Sequence, residues 1–147
     1  MFNHLNEKSF HTVDPKGRLL LPKDVRQTFK IKKGDTLYMV PNLADPPYLE
    51  IRTARQWEDY RRSLRDEEAG EKKKDSFRYA MMLSGKGVVD GQGRVLIPQR
   101  MRETCKLDGT VAVINMDLYT EVWCRENVEK KYADMLRAFK ETNDRMF

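Results

Sequence analysis

Two arginines, Arg18 and Arg94, each stand four residues after an aspartate and directly after a glycine. They do so in DPKGRLLLP (Asp14 to Pro22) and DGQGRVLIP (Asp90 to Pro98). A guanidinium at that spacing has two uses. It can fold back across the turn onto its aspartate and fix the loop. It can also point outward as a planar fork matched to phosphate or to the O6 and N7 atoms of guanine. Lys16 in the first loop and Lys86 ahead of the second add charge beyond any internal pair. Arg26 and Arg102 lie four residues after each proline, on the helix expected there. They either join a polyanion surface, face solvent, or pair with Asp24 and Glu103. Lys30, Lys32 and Lys33 fit general electrostatic support for phosphate. The candidate polyanion-binding set, for which nucleic acid is one ligand class, is Lys16, Arg18, Arg94, Lys86, Arg26 and Arg102.

The charge distribution favours that reading over an enzyme. Of a net charge of +5, the segment Asp14 to Lys33 carries +5 and Lys86 to Lys106 carries +3, leaving −3 elsewhere. Positive charge gathered where the motif repeats is the footprint of a polyanion-binding surface. His4 and His11 have no ligand-like spacing, and no nucleophile or phosphate-loop motif occurs, so no metal, cofactor, small-molecule substrate or catalytic residue is expected. Cys105 and Cys124 sit in apolar-patterned segments, as small buried thiols of a reducing compartment do. No apolar run approaches the ~20 residues of a membrane span, and MFNHLNEKSF lacks a signal-like centre. A cytoplasmic location is expected.

The elements that must hold the arginines come in two copies. Offset by 76 positions, Asp14–Ile31 and Asp90–Leu107 share eight of 18 residues. Within each copy, turn chemistry at Asp-x-x-Gly precedes a short strand, then proline at the first helical position and a short helix. Further strands are expected at Thr36–Val40, Tyr48–Arg52, Thr110–Asn115 and Thr120–Cys124, with Met1–Val13 as an opening strand and Pro41–Pro47 as a loop. Longer helices are expected at Arg55–Glu68, with Trp57, Tyr60 and Leu64 inward, and at Glu126–Thr142. The latter carries Val128, Tyr132, Met135, Leu136 and Phe139 on one docked stripe. Lys72–Ser76 reads as an exposed charged connector, and Phe77–Leu83 as a short helix or turn on the core. So few short strands per copy cannot close a sheet alone. The expected fold is α+β: a pseudo-twofold barrel of two interlocked copies, flanked by short helices and a longer C-terminal helix per repeat. Residues 1–147 form one domain, with 1–70 and 77–147 as its half-barrel repeats.

Paired D-x-x-G-R motifs, each with three hydrophobic residues, proline and a following helix, resemble the MraZ family of bacterial transcriptional regulators. That family belongs to the AbrB-like swapped-hairpin barrels. The Met1-Phe2 start, Ser84-Gly85 and the length agree with it; His4 and Gly91 depart from the usual pattern. The resemblance implies a cytoplasmic, nucleoid-associated regulator. It implies rings of several subunits on double-stranded DNA bearing short tandem repeats, upstream of a cell division and cell-wall operon. Arg18 and Arg94 would then be the central contacts, helped by Lys16. Gln92 stands where Lys16 does, so the first loop is expected to supply more phosphate affinity. An antitoxin-type module binding DNA and a partner protein, and a nucleoid protein without sequence preference, are the alternatives.

Overall fold

The structure, a computed structural model, describes residues 10–65 and 70–144. Its first half contains β1 (Phe10–Val13), β2 (Arg18–Leu20), α1 (Lys23–Thr28), β3 (Thr36–Asn42), β4 (Tyr48–Thr53) and α2 (Ala54–Leu64). After α3 (Glu71–Leu83) come β5 (Gly85–Val88), β6 (Arg94–Leu96), α4 (Gln99–Cys105), β7 (Gly109–Asn115), β8 (Thr120–Cys124) and α5 (Arg125–Asp144). All eight strands join one antiparallel sheet in the order β5-β3-β4-β8-β7-β1-β2-β6.

The order shows how the copies interlock. The hairpins β3–β4 and β7–β8 each stay within one copy, but β1 pairs with β7 and β5 with β3, so each copy lends its first strand to the other. The two ends of the sheet, β5 and β6, come together without a ladder between them, so the barrel is nearly closed. A Cβ on Gly87 would fall 2.7 Å from the Leu96 carbonyl oxygen, so only glycine permits that approach. The expected α+β swapped-hairpin barrel is the fold observed.

Strand alternation fills the barrel. Leu19, Leu37, Met39, Leu49, Ile51, Val95, Val111, Val113 and Val122 point inward and form one cluster with Leu21 and Ile97. Val25 of α1 and Met101 and Cys105 of α4 join that cluster, so the short helices serve as plugs. Both cysteines are free and buried.

The outer face of the β4–β8 pair lies under the longer helices. α2 starts with a reciprocal cap, Thr53 Oγ1 accepting from the Gln56 amide and Gln56 Oε1 from the Thr53 amide. It seats Trp57 against Val40 and Ala80, with Tyr60 alongside. Beneath, Arg52 is ion-paired with Glu50 at 2.7 Å and held between the Tyr60 and Tyr119 rings. Glu121, directly opposite Glu50, accepts from Tyr119 and Trp123. A second internal resemblance, YLEIRT (Tyr48–Thr53) against YTEVWC (Tyr119–Cys124), underlies this network.

Several sequence expectations change. Lys72–Ser76 is helical rather than a connector, forming the first turns of α3, because Glu71, Lys74, Asp75 and Arg78 pair at helical spacings. It is exposed, as expected, and Tyr79 ties the helix down by donating to the Pro41 carbonyl. β3 continues through Pro41 and Asn42 instead of yielding to a loop. β5 stops opposite Met39, so beyond it β3 is an edge, where proline is tolerated. Pro22 and Pro98 cap their helices from outside rather than opening them. α2 ends at Leu64, and the expected continuation beyond Arg65 lies outside the described residues, as does Met1–Ser9 of the opening strand. The stripe on α5 docks only at its start. Val128 is buried and Met135 packs beside it, but Leu136 and Phe139 are 41% and 67% exposed.

Candidate nucleic-acid interface

The side of the barrel opposite β4–β8 is the two-stranded ribbon β2–β6, where the chain's two motif copies meet. Arg18 pairs with Leu96, Leu19 with Val95 and Leu20 with Arg94. Because Leu19 and Val95 point inward, Arg18, Leu20, Arg94 and Leu96 all share the outer face. The two arginines thus come together on one surface.

Each turn is built from its aspartate. Asp14 Oδ1 accepts from the amides of Lys16 and Arg18, both at 2.9 Å, and Oδ2 accepts from Arg18 Nε at 2.8 Å. Asp90 repeats this with Gln92, Arg94 and Arg94 Nε, each at 2.9 Å. The Arg18 backbone amide above all, then its guanidinium, hold the Asp14 carboxyl below the usual aspartate range; burial opposes them. Asp90 is lowered chiefly by the Arg94 amide, aided by that of Gln92. Gly17 and Gly93 turn the chain at φ of +88° and +82°.

The internal pairing considered for Arg18 and Arg94 is therefore present, and it uses Nε. It leaves the guanidinium's terminal nitrogens without a protein partner among the described residues, and the side chains remain 32% and 28% exposed. Loop fixing and outward donation are compatible in this geometry, because the aspartate holds one edge of the fork while the other projects.

Arg26 and Arg102 are half-buried, and of the readings made in the sequence the pairing with an acidic neighbour is not formed. Neither pairs with Asp24 or Glu103; Glu103 accepts from Gln99 instead. Arg26 Nε donates to the Leu21 carbonyl at 3.0 Å, and Arg102 Nε to that of Ile97 at 2.8 Å. Each guanidinium also lies over the other copy's turn glycine. A Cβ on Gly17 would sit 2.4 Å from Arg102 Cζ, and one on Gly93 would sit 3.0 Å from Arg26 Nη1. The turns are further stitched by Leu21 N to Gly93 O at 3.1 Å and Ile97 N to Gly17 O at 2.9 Å. Each loop is thus supported by the helix of the other copy.

Lys16 is exposed in the first turn, and Lys86 is exposed on the outer face of β5, beside β6. Leu20 and Leu96 do not stand out in the sequence, where Arg-Leu-Leu-Leu and Arg-Val-Leu-Ile read as uniformly apolar strands. The period of two would have set them beside the arginines.

Among the described residues no group of three or more His, Cys, Asp or Glu is placed to hold a metal ion, and no helix is long and apolar enough to cross a membrane.

Comparison with known proteins gives a consistent result. A family model described as "MraZ protein, putative antitoxin-like" matches residues 5–78 and 86–147. Curated relatives named transcriptional regulator MraZ match over most of their length. That of Acidobacterium capsulatum is 33% identical over 111 residues, covering 75% of each chain. That of Heliobacterium modesticaldum is 26% identical over 137 residues, covering 92% of each. That of Acetivibrio thermocellus is 29% identical over 125 residues, covering 84% of this chain and 83% of its own.

Proposed function

Since this chain belongs to the MraZ family, whose members are transcriptional regulators and not enzymes, we propose that it regulates transcription by sequence-specific binding to double-stranded DNA through the β2–β6 ribbon. The single observation that carries the reading is the pair of outward guanidinium forks, each anchored at Nε by its own aspartate on the shared face. A two-stranded ribbon fits the major groove of B-DNA, and an arginine held in place loses little freedom on meeting guanine O6 and N7. Arg18 and Arg94 carry specificity. Lys16 and Lys86 contribute affinity by releasing counterions, so binding falls steeply with salt. Arg26 and Arg102 act as positioning residues, through the loops they support.

The ribbon is small, spanning three residues of each strand. Tight binding therefore calls for several subunits on tandemly repeated sites, in a homo-oligomer such as a ring, gaining by avidity. A cell division and cell-wall operon is the regulated target in this reading, and the cytoplasmic nucleoid its location. The half-barrels 1–70 and 77–147 act as one unit, because each completes the other's loop.

Gel-shift titration tests the site. Arg18→Ala and Arg94→Ala are expected to abolish specific binding with the circular dichroism spectrum unchanged. Wild-type-like binding by both variants would remove the arginines from the interface. Equal affinity for unrelated DNA would favour the non-specific nucleoid reading.

A further inference from the structure

Leu20 and Leu96 are 49% and 51% exposed, large for leucines in the strands of a barrel. A lone exposed leucine needs no explanation. These two occupy equivalent positions in the repeat, lie on the outer face of one ribbon, and stand directly across from Arg94 and Arg18. Val88, 61% exposed on β5, extends the apolar strip beside Lys86. No described helix covers this strip, whereas α2 and α5 cover the opposite side.

The surroundings select the occupant. The two carboxylates nearest the ribbon, Asp14 and Asp90, are each engaged by three donors. What remains on the ribbon's outer face and in the turns beside it is cationic, from Lys16, Lys86 and the free ends of the arginine forks. An apolar pair in a cationic frame suits a ligand with an anionic backbone and small apolar groups at its centre. Duplex DNA presents such a group in the major groove: the C5-methyl of thymine.

Resting on the DNA-binding reading above, we propose that Leu20 and Leu96 are specificity-determining residues that contact thymine methyl groups beside the guanines engaged by Arg18 and Arg94. A strand advances about 3.3 Å per residue and cross-strand neighbours lie about 5 Å apart. DNA rises about 3.4 Å per base along each strand. Each leucine thus reaches a base pair within about two steps of an arginine's guanine.

The experiment uses the full-length protein and the tightest duplex selected from a random-sequence library. Thymines are replaced one at a time by deoxyuridine, which lacks only the methyl, and affinity is measured by fluorescence anisotropy at fixed salt. Wild type is expected to lose about fourfold at one or two thymines near a guanine, the value of one buried methyl (about 0.8 kcal/mol). The double variant Leu20→Ala/Leu96→Ala is expected to bind the thymine duplex more weakly and to show no further loss with deoxyuridine. Indifference of the wild type to every deoxyuridine replacement would overturn the proposal, and this arm needs no variant to fold. So would a double variant that stays as sensitive to deoxyuridine as wild type. Arg18→Ala/Arg94→Ala separates the two readings. Its loss of binding alongside deoxyuridine indifference defeats only the leucine proposal. Its retention of wild-type binding, or failure of selection to yield a preferred duplex, defeats the reading beneath it.

Discussion

Replacing Gly17 by alanine should cost more stability than the same change at two other glycines, and the excess measures how one copy braces the other. Gly34 is the reference. Its φ is +90°, and an added Cβ there would meet nothing within 4 Å, so Gly34→Ala isolates the conformational cost. For a residue with a Cβ at positive φ, that is about 1–2 kcal/mol. Gly17 has nearly the same φ, +88°, but its Cβ would sit 2.4 Å from Arg102 Cζ and 2.5 Å from Nε. The guanidinium must move, and its bond to the Ile97 carbonyl at 2.8 Å goes with it. A hydrogen bond from a charged donor contributes about 1.5–3 kcal/mol, of which the lower end applies to a partly exposed group. Gly17→Ala should therefore cost about 2.5–3.5 kcal/mol. Gly93→Ala should fall between the two, since its Cβ would lie 3.0 Å from Arg26 Nη1 and a few tenths of an ångström of movement relieves it.

Urea titration, with thermal melting at one fixed protein concentration as a cross-check, measures these differences. For a chain of this size, 1 kcal/mol corresponds to about 3 °C in Tm. A double-mutant cycle sharpens the test. With Arg102→Ala already in place there is no guanidinium to displace, so adding Gly17→Ala should cost only what Gly34→Ala costs. Equal losses at Gly17 and Gly34, or strict additivity of Gly17→Ala and Arg102→Ala, would refute the idea that Arg102 braces the first loop.

Two further outcomes follow from the turns and the helix ends. Asp14 and Asp90 are held below the ordinary aspartate value, so their contribution is present above about pH 3.9 and is lost as pH falls through their depressed folded values. Asp14→Asn/Asp90→Asn should be less stable than wild type at pH 7 and show a flatter stability profile as pH falls below the ordinary aspartate value; parallel profiles would contradict the assignment. Lys106 closes α4 with φ at +56°, a conformation that glycine adopts without penalty. Lys106→Gly should raise stability by about 0.5–1 kcal/mol in urea, and a loss would show that its side chain contributes more than its backbone strain removes.

Much of the barrel was legible in the chain because its causes are local. Asp14, Gly17 and Arg18 recur as Asp90, Gly93 and Arg94, and turn chemistry with short apolar runs sufficed to indicate strands that must complete one another. Lys72–Ser76 misled because a charged run looks the same as a solvated loop until its i,i+3 pairs are seen on a helix that Tyr79 and Ala80 dock. The stripe on α5 misled in the opposite sense. Periodicity reports an apolar face, but whether a partner lies under Phe139 depends on where the barrel ends. Arg26 and Arg102 read in the sequence against Asp24 and Glu103, whereas each donates to a carbonyl five residues back and lies over the turn glycine of the other copy.

By itself, then, the sequence determined the repeat, the turns, the short apolar strands and the family, all of which depend on residues within a few positions of one another or on direct likeness. Only the tertiary structure decided which copy supports which loop, that Arg18 and Arg94 share a ribbon with Leu20 and Leu96, and that each guanidinium is held at Nε with its far edge outward. The reason is physical. Pairing β2 with β6 brings together residues 76 positions apart, and no local propensity encodes a register that exists only once the two copies interlock.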